Sequence, residues 1–440
     1  MTLAEALAEI VQAEVTGLYQ LSAGSSRQTW SFDAGGRGYI LRRDPPAVPN
    51  PDGMAREAEC FRAAVEAGVP VPELLATGDG SDAIGSPYLL MERLVGETLP
   101  QRLLRDERWA DVRPLLAREF GQILARIHAI AVRHVLAVPS YQDRLSWLRD
   151  WYDTFDEPSP ALELAMRWLA EHRPAPVPQS LVHGDFRNGN LLIGQDGVRA
   201  VLDWELAHIG DPREDLGWMC AKVWRFGAKP AVGGFGEREE LFDGYAQVAG
   251  QRPDPAAVHW WEVFAAVHWA VICRAQAQRH LSGAEPSVEL AVLGRRSAEA
   301  EHDALLALGL TEPALVDDPI TLATTEPGVH GRPTVDELLD AVAGFLDEAV
   351  PTDDGRSRYL AKVAANALTI ARRELRIGDE QRSRHREHLA ALGCRDEREL
   401  TRRIRSGALD TGSAALVAAV RAMTTDRVLV ANPKYLHAPG

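Results

Sequence analysis

One stretch of the sequence, residues 181–205, restricts what this chain can fold into more than any other. It begins with apolar residues that predict a short strand, and a polar loop over residues 183–190 follows. Two further apolar segments, residues 191–193 and 198–202, flank Gln195-Asp-Gly197, where Asp and Gly tolerate the left-handed backbone of a tight turn. The pattern therefore predicts a β-hairpin directly after a polar loop.

The predicted hairpin brings three oxygen-bearing side chains to one place. Asn190 enters the hairpin and Asp203 leaves it, so both lie at its open end, and Asp185 lies in the loop just before. Carboxylate and amide oxygens, without Cys or clustered His, suit Mg²⁺ better than zinc. The same set matches phosphoryl transfer, in which one carboxylate accepts the proton of the attacking hydroxyl while an Asn and a second Asp hold Mg²⁺ on the nucleotide phosphates.

These residues also carry a resemblance to a known family. His183-Gly-Asp185 with Asn190 resembles the catalytic loop of aminoglycoside phosphotransferases and choline kinases, which are small-molecule relatives of protein kinases. Asp203-Trp-Glu205 stands where that family has its metal-binding Asp triplet. Ile209-Gly-Asp-Pro212 and Asp215-Leu-Gly217 continue the pattern. The compound motif is far more specific than a lone His-Gly-Asp.

The resemblance implies a fold, two cofactors and a set of roles. The fold is α+β and bilobal like a protein kinase, with a small β-rich N-lobe and a larger, mostly helical C-lobe. The cofactors are ATP and Mg²⁺, and the γ-phosphoryl group passes to an alcohol on a small molecule. Asp185 would be the catalytic base, and Asn190 and Asp203 the magnesium ligands. Adenine would contact the backbone between the lobes, near Glu92 to Leu94.

A predicted strand ends in Arg42 and Arg43, at the place where kinases carry a Lys that holds the α- and β-phosphates. The resemblance assigns this role to Arg42, while Arg43 stays open as the phosphate contact. Arginine supplies fixed positive charge and a forked donor set, but its geometry differs from that of Lys. Its partner should be an acid on the next predicted helix, residues 55–67, with Glu57 as the first choice and Glu59 as the second.

Residues 21–32 predict a strand, a turn and a second strand. A turn of small residues, here including Ser25 and Ser26, can fold over phosphates and offer them backbone N–H groups. The turn lacks the Gly-x-Gly-x-x-Gly spacing, so a plain hairpin remains the alternative.

Basic residues after the hairpin bear on the acceptor. Lys222, Arg225, Arg274 and Arg279 favour an anionic substrate if they face the cleft. Enzymes that phosphorylate aminoglycosides or choline-like amino alcohols instead need anionic or aromatic pockets for a cation. A solvated basic face, balanced by nearby acids, is the alternative for these four residues.

A second resemblance covers roughly residues 1–310. The strand with Arg42, residues 218–227, residues 276–283 and Leu293-Gly-Arg-Arg296 are similar to the phosphotransferase domain that is fused to some acyl-CoA dehydrogenases. The resemblance implies a hydroxyacyl-CoA as the acceptor.

The domain organisation follows from the same reading. We expect the N-lobe over residues 1–95, the C-lobe over residues 96–310 and a linker rich in Asp, Thr, Pro and Gly over residues 311–331. Residues 332–440 resemble a small helical domain appended to such phosphotransferases. Its role is unknown, and docking or homodimer formation is the interpretation adopted here.

Several patterns predict the internal structure of this last domain. Thr334 to Glu337 has the spacing of a capping box. Helical spacing of apolar residues predicts helices over residues 358–376, 380–392, 397–405 and 412–423.

Composition excludes some classes of protein. A net charge of −15 argues against a nucleic-acid-binding surface. The first 16 residues carry acids and no basic run, unlike a secretory signal, and no apolar run approaches the roughly 20 residues of a membrane helix. The 4 Cys are scattered, which is typical of reduced thiols in a cytoplasm.

Two rival interpretations remain. His183, Asp185, His208 and Asp211 could form the metal cluster of a hydrolase, although their spacing fits no metal motif. The chain could also be a nucleotide-binding pseudokinase scaffold, since Arg replaces the expected Lys. Asp215 and His183 are interpreted as residues that brace the loop, and His128 as a packed core histidine.

Overall fold

The computed structural model describes residues 1–23, 27–322, 332–349 and 355–438. Packing divides the chain into two compact units, of which the first comprises Met1–Gln142 with Pro174–Trp261 and the second Asp143–Arg173 with Glu262–Gly440. The strands are β1 (Val15–Ala23), β2 (Gln28–Ala34), β3 (Arg37–Arg43), β4 (Leu74–Asp79), β5 (Pro87–Glu92), β6 (Ser180–Val182), β7 (Leu191–Gly194), β8 (Gly197–Val201) and β9 (His208–Gly210).

Helices make up most of the remaining described chain, and the structure is α+β as predicted. In the first 260 residues they are α1 (Leu3–Val11), α2 (Pro51–Glu66), α3 (Pro100–Arg105), α4 (Arg113–His128), α5 (Arg144–Asp153), α6 (Pro160–Glu171), α7 (Arg213–Cys220) and α8 (Arg238–Ala249). They continue with α9 (Pro255–Leu281), α10 (Val288–Arg295), α11 (Ser297–Ala307), α12 (Val335–Gly344), α13 (Gly355–Ala391), α14 (Glu397–Arg405) and α15 (Ala414–Ala431).

The N-terminal strands form a five-stranded antiparallel sheet in the order β1-β2-β3-β5-β4. In the register of the sheet, Arg42 of β3 lies between Thr29 of β2 and Leu89 of β5. Helix α2 packs against β4 and β5. Because β3 has neighbours on both sides, its side chains are fixed in direction, and alternate residues face opposite sides of the sheet.

The predicted hairpin is present as β7 and β8, within one residue of its expected bounds, and β6 pairs with β9 beside it. Two backbone links tie this hairpin to the segments around the sheet. Glu97 and Ile193 exchange N–H···O bonds of 2.9 and 3.0 Å, and the Val201 N–H donates to Pro70 O at 2.8 Å. The hairpin is therefore held against the sheet by main-chain bonds as well as by packing.

In the second unit, α11, α14 and α15 pack with α6. Their shared core includes Leu164, Leu305, Ile404 and Met423. Buried carboxylates pair with arginines from the C-terminal helices, such as Glu301 Oε2 with Arg427 Nη1 at 2.8 Å. This division cuts across the boundary expected at residue 310, because the C-terminal helices share their core with helices that precede it.

Helix α13 corrects one detail of the sequence analysis. The two helices expected over residues 358–376 and 380–392 form one continuous helix. Gly378 lies inside it and keeps a negative φ, since it is not among the positive-φ residues. Packing of α13 with α10, α12 and α15 outweighs the roughly 1 kcal/mol by which a Gly weakens a helix interior.

Helix α9 is long and apolar enough to cross a membrane by length and composition alone, which the sequence analysis did not expect. Polar residues such as Glu262 and Arg274 interrupt it, so it contains no unbroken apolar run although its average is apolar. Of its most apolar window, 78% is buried inside the protein, as in the core helix of a folded domain.

Helices α4 and α8 of the first unit pack together and approach each other closely at two glycines. A Cβ on Gly121 would lie 2.0 Å from Leu241 O, and a Cβ on Gly244 would lie 1.9 Å from Arg118 O. Both are main-chain oxygens that can move only with their helix.

We expect Gly121→Ala or Gly244→Ala to lower the free energy of unfolding by about 2 kcal/mol or more, measured in urea. Gly344→Ala, which meets nothing within 4 Å, is the control. Equal stability of all three variants would contradict this close approach.

Candidate active site

The loop between β6 and β7 is anchored by one buried carboxylate. Asp215 accepts the N–H groups of His183 at 2.8 Å and Gly184 at 2.9 Å, and it is fully buried. His128 Nε2 lies 3.1 Å from Asp215 Oδ2, and its Nδ1 lies 3.0 Å from the Tyr245 hydroxyl. The predicted bracing role of Asp215 is confirmed, and so is the prediction that His128 is a core histidine.

Only glycine fits at position 184. Its φ is +79°, and an added Cβ would lie 2.4 Å from Leu206 O. The left-handed backbone there turns the chain sharply, so that Asp185 leaves the buried strand and reaches the site.

His183 is held as the neutral Nε2–H tautomer. Its Nε2 lies 3.1 Å from Leu202 O, which can only accept, and its Nδ1 lies 3.2 Å from the Asp185 N–H, which can only donate. Burial lowers the pKa of His183, against the opposing effect of nearby carboxylates that include Asp215. A neutral imidazole thus connects the catalytic loop to the chain just before Asp203.

Asp185 receives three side-chain donors. Its Oδ1 accepts from Arg187 Nε at 2.8 Å and from Trp218 Nε1 at 3.0 Å, and its Oδ2 accepts from Asn190 Nδ2 at 2.6 Å. The Arg187 guanidinium also stacks 4.4 Å from the centre of the Trp224 ring. These bonds fix the direction of the carboxylate, whose side chain is 13% exposed.

Asn190 and Asp203 lie together at the open end of the hairpin, as predicted. The Leu202 N–H donates to Asn190 O at 2.8 Å, which closes the hairpin beside both residues. Since the Asn190 amide nitrogen is bound to Asp185, its carbonyl oxygen is the atom available to a cation. Asp203 adopts φ +65°, an uncommon backbone for a residue other than glycine and one often found at functional sites.

The electrostatics of Asp203 are set by its basic neighbours. Burial raises the pKa of Asp203, but the charge and hydrogen bond of Arg42, together with the charge of Arg187, outweigh that effect and hold the pKa below its usual value. Its carboxylate is therefore ionised at neutral pH.

Arg42 connects the sheet to the hairpin. Its Nη1 lies 2.5 Å from Glu57 Oε1, and its Nη2 lies 2.9 Å from Asp203 Oδ1. Glu57 is fully buried and also pairs with Arg27, whose Nε donates to Asp44 at 3.2 Å. Arg27 follows the predicted phosphate turn directly and was not identified from the sequence.

The other candidates at this point of the sheet face elsewhere. Arg43 donates to Gln28 Oε1 at 2.9 Å and lies over the Trp30 ring, on the side of β3 opposite to Arg42. Glu59 accepts the Ala137 N–H at 3.1 Å. The sequence left a choice between Arg42 and Arg43 and between Glu57 and Glu59. The fold brings together Arg42 and Glu57.

Helix α2 carries a second contact to the site. Phe61 lies one turn after Glu57, on the same face of the helix, and its ring packs 6.4 Å from that of Trp204. Trp204 is buried and follows Asp203 directly. The position of Asp203 therefore depends on α2 through both an ion pair and an aromatic contact.

The oxygen donors at the hairpin suit a hard cation. Asp203 offers a carboxylate oxygen and Asn190 an amide oxygen. Mg²⁺ commonly takes only one or two protein ligands of this kind, and phosphate oxygens and waters complete its coordination shell. Among the described residues no group of three or more His, Cys, Asp and Glu is placed to hold a metal. His208 is instead bonded to Leu206 O and Glu214, and Asp211 to Arg213, so the hydrolase cluster is not assembled.

Of the remaining predicted nucleotide contacts, the structure describes those between the lobes but not those in the turn. Ser25 and Ser26 lie outside the described residues. Near the predicted adenine contact, the N–H of Glu92 donates to Glu73 O and that of Arg93 to Gly38 O. The main-chain N–H groups of Glu92 and Arg93 are therefore already bonded, and the adenine contact stays a prediction.

The four predicted substrate residues fall in different units. Lys222 and Arg225 lie on a short 3-10 turn that Asn188 of the catalytic loop holds by donating to Trp224 O at 3.1 Å. Arg274 and Arg279 belong to the second unit. Arg274 Nη2 lies 3.1 Å from Glu301 Oε1, and Arg279 pairs with Glu285 there.

Three residues of the site were missed from the sequence: Arg27, Arg187 and Trp218. Arg187 lies only two positions after Asp185, which is the signal that could have identified it. Arg27 and Trp218 are distant in sequence from their partners, and only the fold brings them to Glu57 and Asp185.

A profile of the phosphotransferase enzyme family matches residues 18–261, more than half of the chain. This protein belongs to the phosphotransferase enzyme family. A second profile, of a domain of unknown function called DUF6285, matches residues 351–435. The phosphotransferase match includes the sheet except for the first three residues of β1, the catalytic loop and the hairpin described above.

Two relatives of this phosphotransferase family member have similar sequences. Acyl-CoA dehydrogenase family member 10 of Mus musculus is 29% identical over 238 residues, which are 50% of this chain and 22% of the relative. Hygromycin-B 4-O-kinase of Escherichia coli is 28% identical over 219 residues, 46% of this chain and 61% of the kinase. This chain thus spans less than two thirds of either relative.

Among solved structures, a candidate aminoglycoside phosphotransferase from Ralstonia eutropha matches with a TM-score of 0.55 and 23% identity, covering 69% of this chain and 98% of that one. The likeness shows the fold alone. It confirms the predicted kinase-like fold, and the relatives confirm both family resemblances.

The buried carboxylate of Glu57 gives a direct test of this geometry. Glu57→Gln leaves Arg27 and Arg42 buried beside a neutral amide, so we expect the free energy of unfolding to fall by about 3 kcal/mol in urea denaturation. Glu59→Gln, on the same helix and bonded to one main-chain N–H, should cost about 1 kcal/mol or less. Equal losses in the two variants would exclude Glu57 as the central partner.

Proposed function

We propose that this protein transfers the γ-phosphoryl group of ATP, with Mg²⁺, to a hydroxyl group of a small molecule. The observation that carries the proposal is the convergence of Asp185, Asn190 and Asp203 at one hairpin, with Arg42 joining Asp203 to Glu57. Each group of a phosphoryl-transfer site is supplied by this chain, and membership of the phosphotransferase family supports the same reaction.

Asp185 positions the acceptor. Three donors hold its carboxylate in one direction, and an incoming hydroxyl would replace or join them. Phosphoryl transfer passes through a loose transition state that needs positioning more than proton abstraction, and a carboxylate held by three donors supplies that positioning.

The nucleotide phosphates would lie between Arg42 and the hairpin. Arg42 offers fixed positive charge, and Arg27 shares the charge of Glu57, so that one Arg42 nitrogen remains for phosphate or Asp203. Asn190 Oδ1 and the Asp203 carboxylate would hold Mg²⁺, which when bound neutralises charge on the phosphate oxygens.

The contact between Arg42 and Asp203 supports a second candidate function, that of a nucleotide-binding pseudokinase scaffold. Arg42 occupies Asp203 Oδ1, one of the oxygens assigned to Mg²⁺, at 2.9 Å. A chain in which this pair never opened would bind nucleotide without turnover and act as a pseudokinase scaffold. ADP release with an acceptor separates the two functions.

The charges around the catalytic loop favour an anionic acceptor. The charge of Arg187 in the loop is paired with Asp185, whereas Lys222 and Arg225 carry two further positive charges on the segment that Asn188 holds beside the loop. Cationic side chains there would repel an aminoglycoside or choline-like amine. A hydroxyacyl-CoA, with its phosphates, suits them, and the likeness to an acyl-CoA dehydrogenase family member supports this choice.

The assignments outside the site remain predictions: a homodimer through residues 332–440, which sedimentation of the full chain would test, and a cytoplasmic location.

Asp185→Asn should lower turnover by about 100-fold or more while nucleotide binding persists, because the amide cannot accept the hydroxyl proton and presents donors to it. Turnover is measured as ADP release and nucleotide affinity by calorimetry. Asp196→Asn, an exposed carboxylate in the turn of the same hairpin, is the matched control and should leave both unchanged. Unchanged turnover in Asp185→Asn would remove this residue from the mechanism.

The acceptor class is tested by competition among substrates. With Mg-ATP, we expect hydroxyacyl-CoAs to give ADP release with kcat/KM at least about tenfold above that for hygromycin B or choline. Lys222→Gln should reduce this preference mainly through KM. Faster phosphorylation of hygromycin B or choline would reject the anionic acceptor, while release with none of them would favour the scaffold.

A further inference from the structure

Helix α7 holds the catalytic loop at two places. Asp215 accepts the N–H groups of His183 at 2.8 Å and Gly184 at 2.9 Å, just before the loop reaches Asp185. Trp218 follows three positions later on the same face of the helix, and it donates its indole N–H to Asp185 Oδ1 at 3.0 Å. One face of α7 thus fixes both the main chain of the loop and the direction of its carboxylate.

The indole ring of Trp218 is itself held in place. It is buried, and its centre lies 5.2 Å from the centre of the Trp224 ring. The Arg187 guanidinium stacks 4.4 Å from the centre of that second ring, and Arg187 Nε is the other donor to Asp185 Oδ1, at 2.8 Å. Two donors and two rings therefore form a closed set of contacts around one carboxylate oxygen.

These contacts make the two oxygens of Asp185 chemically different. A carboxylate oxygen has two lone pairs, and those of Oδ1 accept from Trp218 and Arg187. Within the described chain, Oδ2 accepts from one group, the Asn190 amide at 2.6 Å, so a second lone pair remains to it. Indole and guanidinium N–H groups can only donate. An incoming hydroxyl, which must donate its own proton, therefore finds its acceptor at Oδ2.

We propose that Trp218 is a positioning residue that, together with Arg187, occupies Oδ1 of Asp185 and so assigns Oδ2 to the acceptor hydroxyl. This role rests on the phosphotransferase function proposed above. In the reaction, the acceptor oxygen forms a bond to the γ-phosphorus while the bond from that phosphorus to the oxygen of ADP breaks, and the hydroxyl proton passes to Asp185 Oδ2. Because one oxygen is assigned to it, the hydroxyl is bound in one orientation before the transfer.

Trp218→Phe removes the indole N–H and keeps an aromatic ring beside Trp224. We measure ADP release with Mg-ATP and the acceptor that gives the highest kcat/KM in the wild type. We expect kcat and kcat/KM to fall together by about tenfold or more, because the lost bond goes to a charged carboxylate. The Kd of ADP, measured by calorimetry, should stay unchanged, since Trp218 is not among the predicted nucleotide contacts.

Trp109→Phe is the matched control. Trp109 is buried like Trp218, but its indole N–H has no hydrogen-bond partner in the described chain. We expect its kcat and its Kd for ADP to equal those of the wild type. A loss of packing alone would lower the free energy of unfolding of both variants without changing the kcat of the folded protein.

A second measurement reads the contact without turnover. In the full chain labelled with ¹⁵N-tryptophan, a bond to a carboxylate moves an indole N–H resonance downfield and slows its exchange with water. The Trp218 resonance is the one that Trp218→Phe removes. In Asp185→Ala we expect it to move upfield and to exchange at least about fivefold faster. When Mg-ADP and the acceptor saturate the wild type, it should stay downfield, because the hydroxyl binds Oδ2.

The outcomes separate this role from the proposed function. No ADP release from the wild type with any acceptor would reject the function, and the role with it. Turnover of Trp218→Phe as fast as that of an active wild type would reject the role alone. So would an upfield move of the Trp218 resonance when the acceptor binds, since the hydroxyl would then have taken Oδ1. If circular dichroism shows that Trp218→Phe is unfolded, the indole resonance that moves in Asp185→Ala is followed instead, and the same titration decides.

Discussion

A single buried carboxylate, Glu57, holds the phosphotransferase site together. An ionised carboxylate without exposure is costly unless its charge is paired, and here Arg27 and Arg42 both pair with it. Arg42 then reaches Asp203 of the hairpin. Sheet, helix α2 and hairpin are thus joined by one chain of alternating charges, and the position of the catalytic loop relative to the sheet depends on it.

The two carboxylates that contact position 42 explain why an arginine stands there. A guanidinium has a rigid fork whose two ends bind two carboxylates at once, here Glu57 and Asp203. A lysine ammonium is a compact point charge that would have to share one nitrogen between them. The departure from the usual kinase Lys therefore goes with a second arginine, Arg27, which supplies the remaining charge that Glu57 needs.

Local patterns predicted much of this structure. The hairpin, the placement of Asn190 and Asp203 at its open end, and the capping box at Thr334 follow from short-range turn and capping chemistry, and all three are present. Long-range features were less accessible. The continuity of α13 through Gly378 was missed, because packing with other helices outweighs the local weakness of a glycine.

The sequence by itself determined the chemistry available: a His-Gly-Asp loop, an Asn and an Asp separated by the length of one hairpin, and an arginine with an acid on the following helix. These relations are local, so spacing and turn residues encode them. Only the tertiary structure decided that Arg42 rather than Arg43 faces Glu57, and that Arg27 and Trp218 join the site. Those choices depend on which face of the sheet is covered and on which distant segments pack against it, and no short stretch of sequence specifies either.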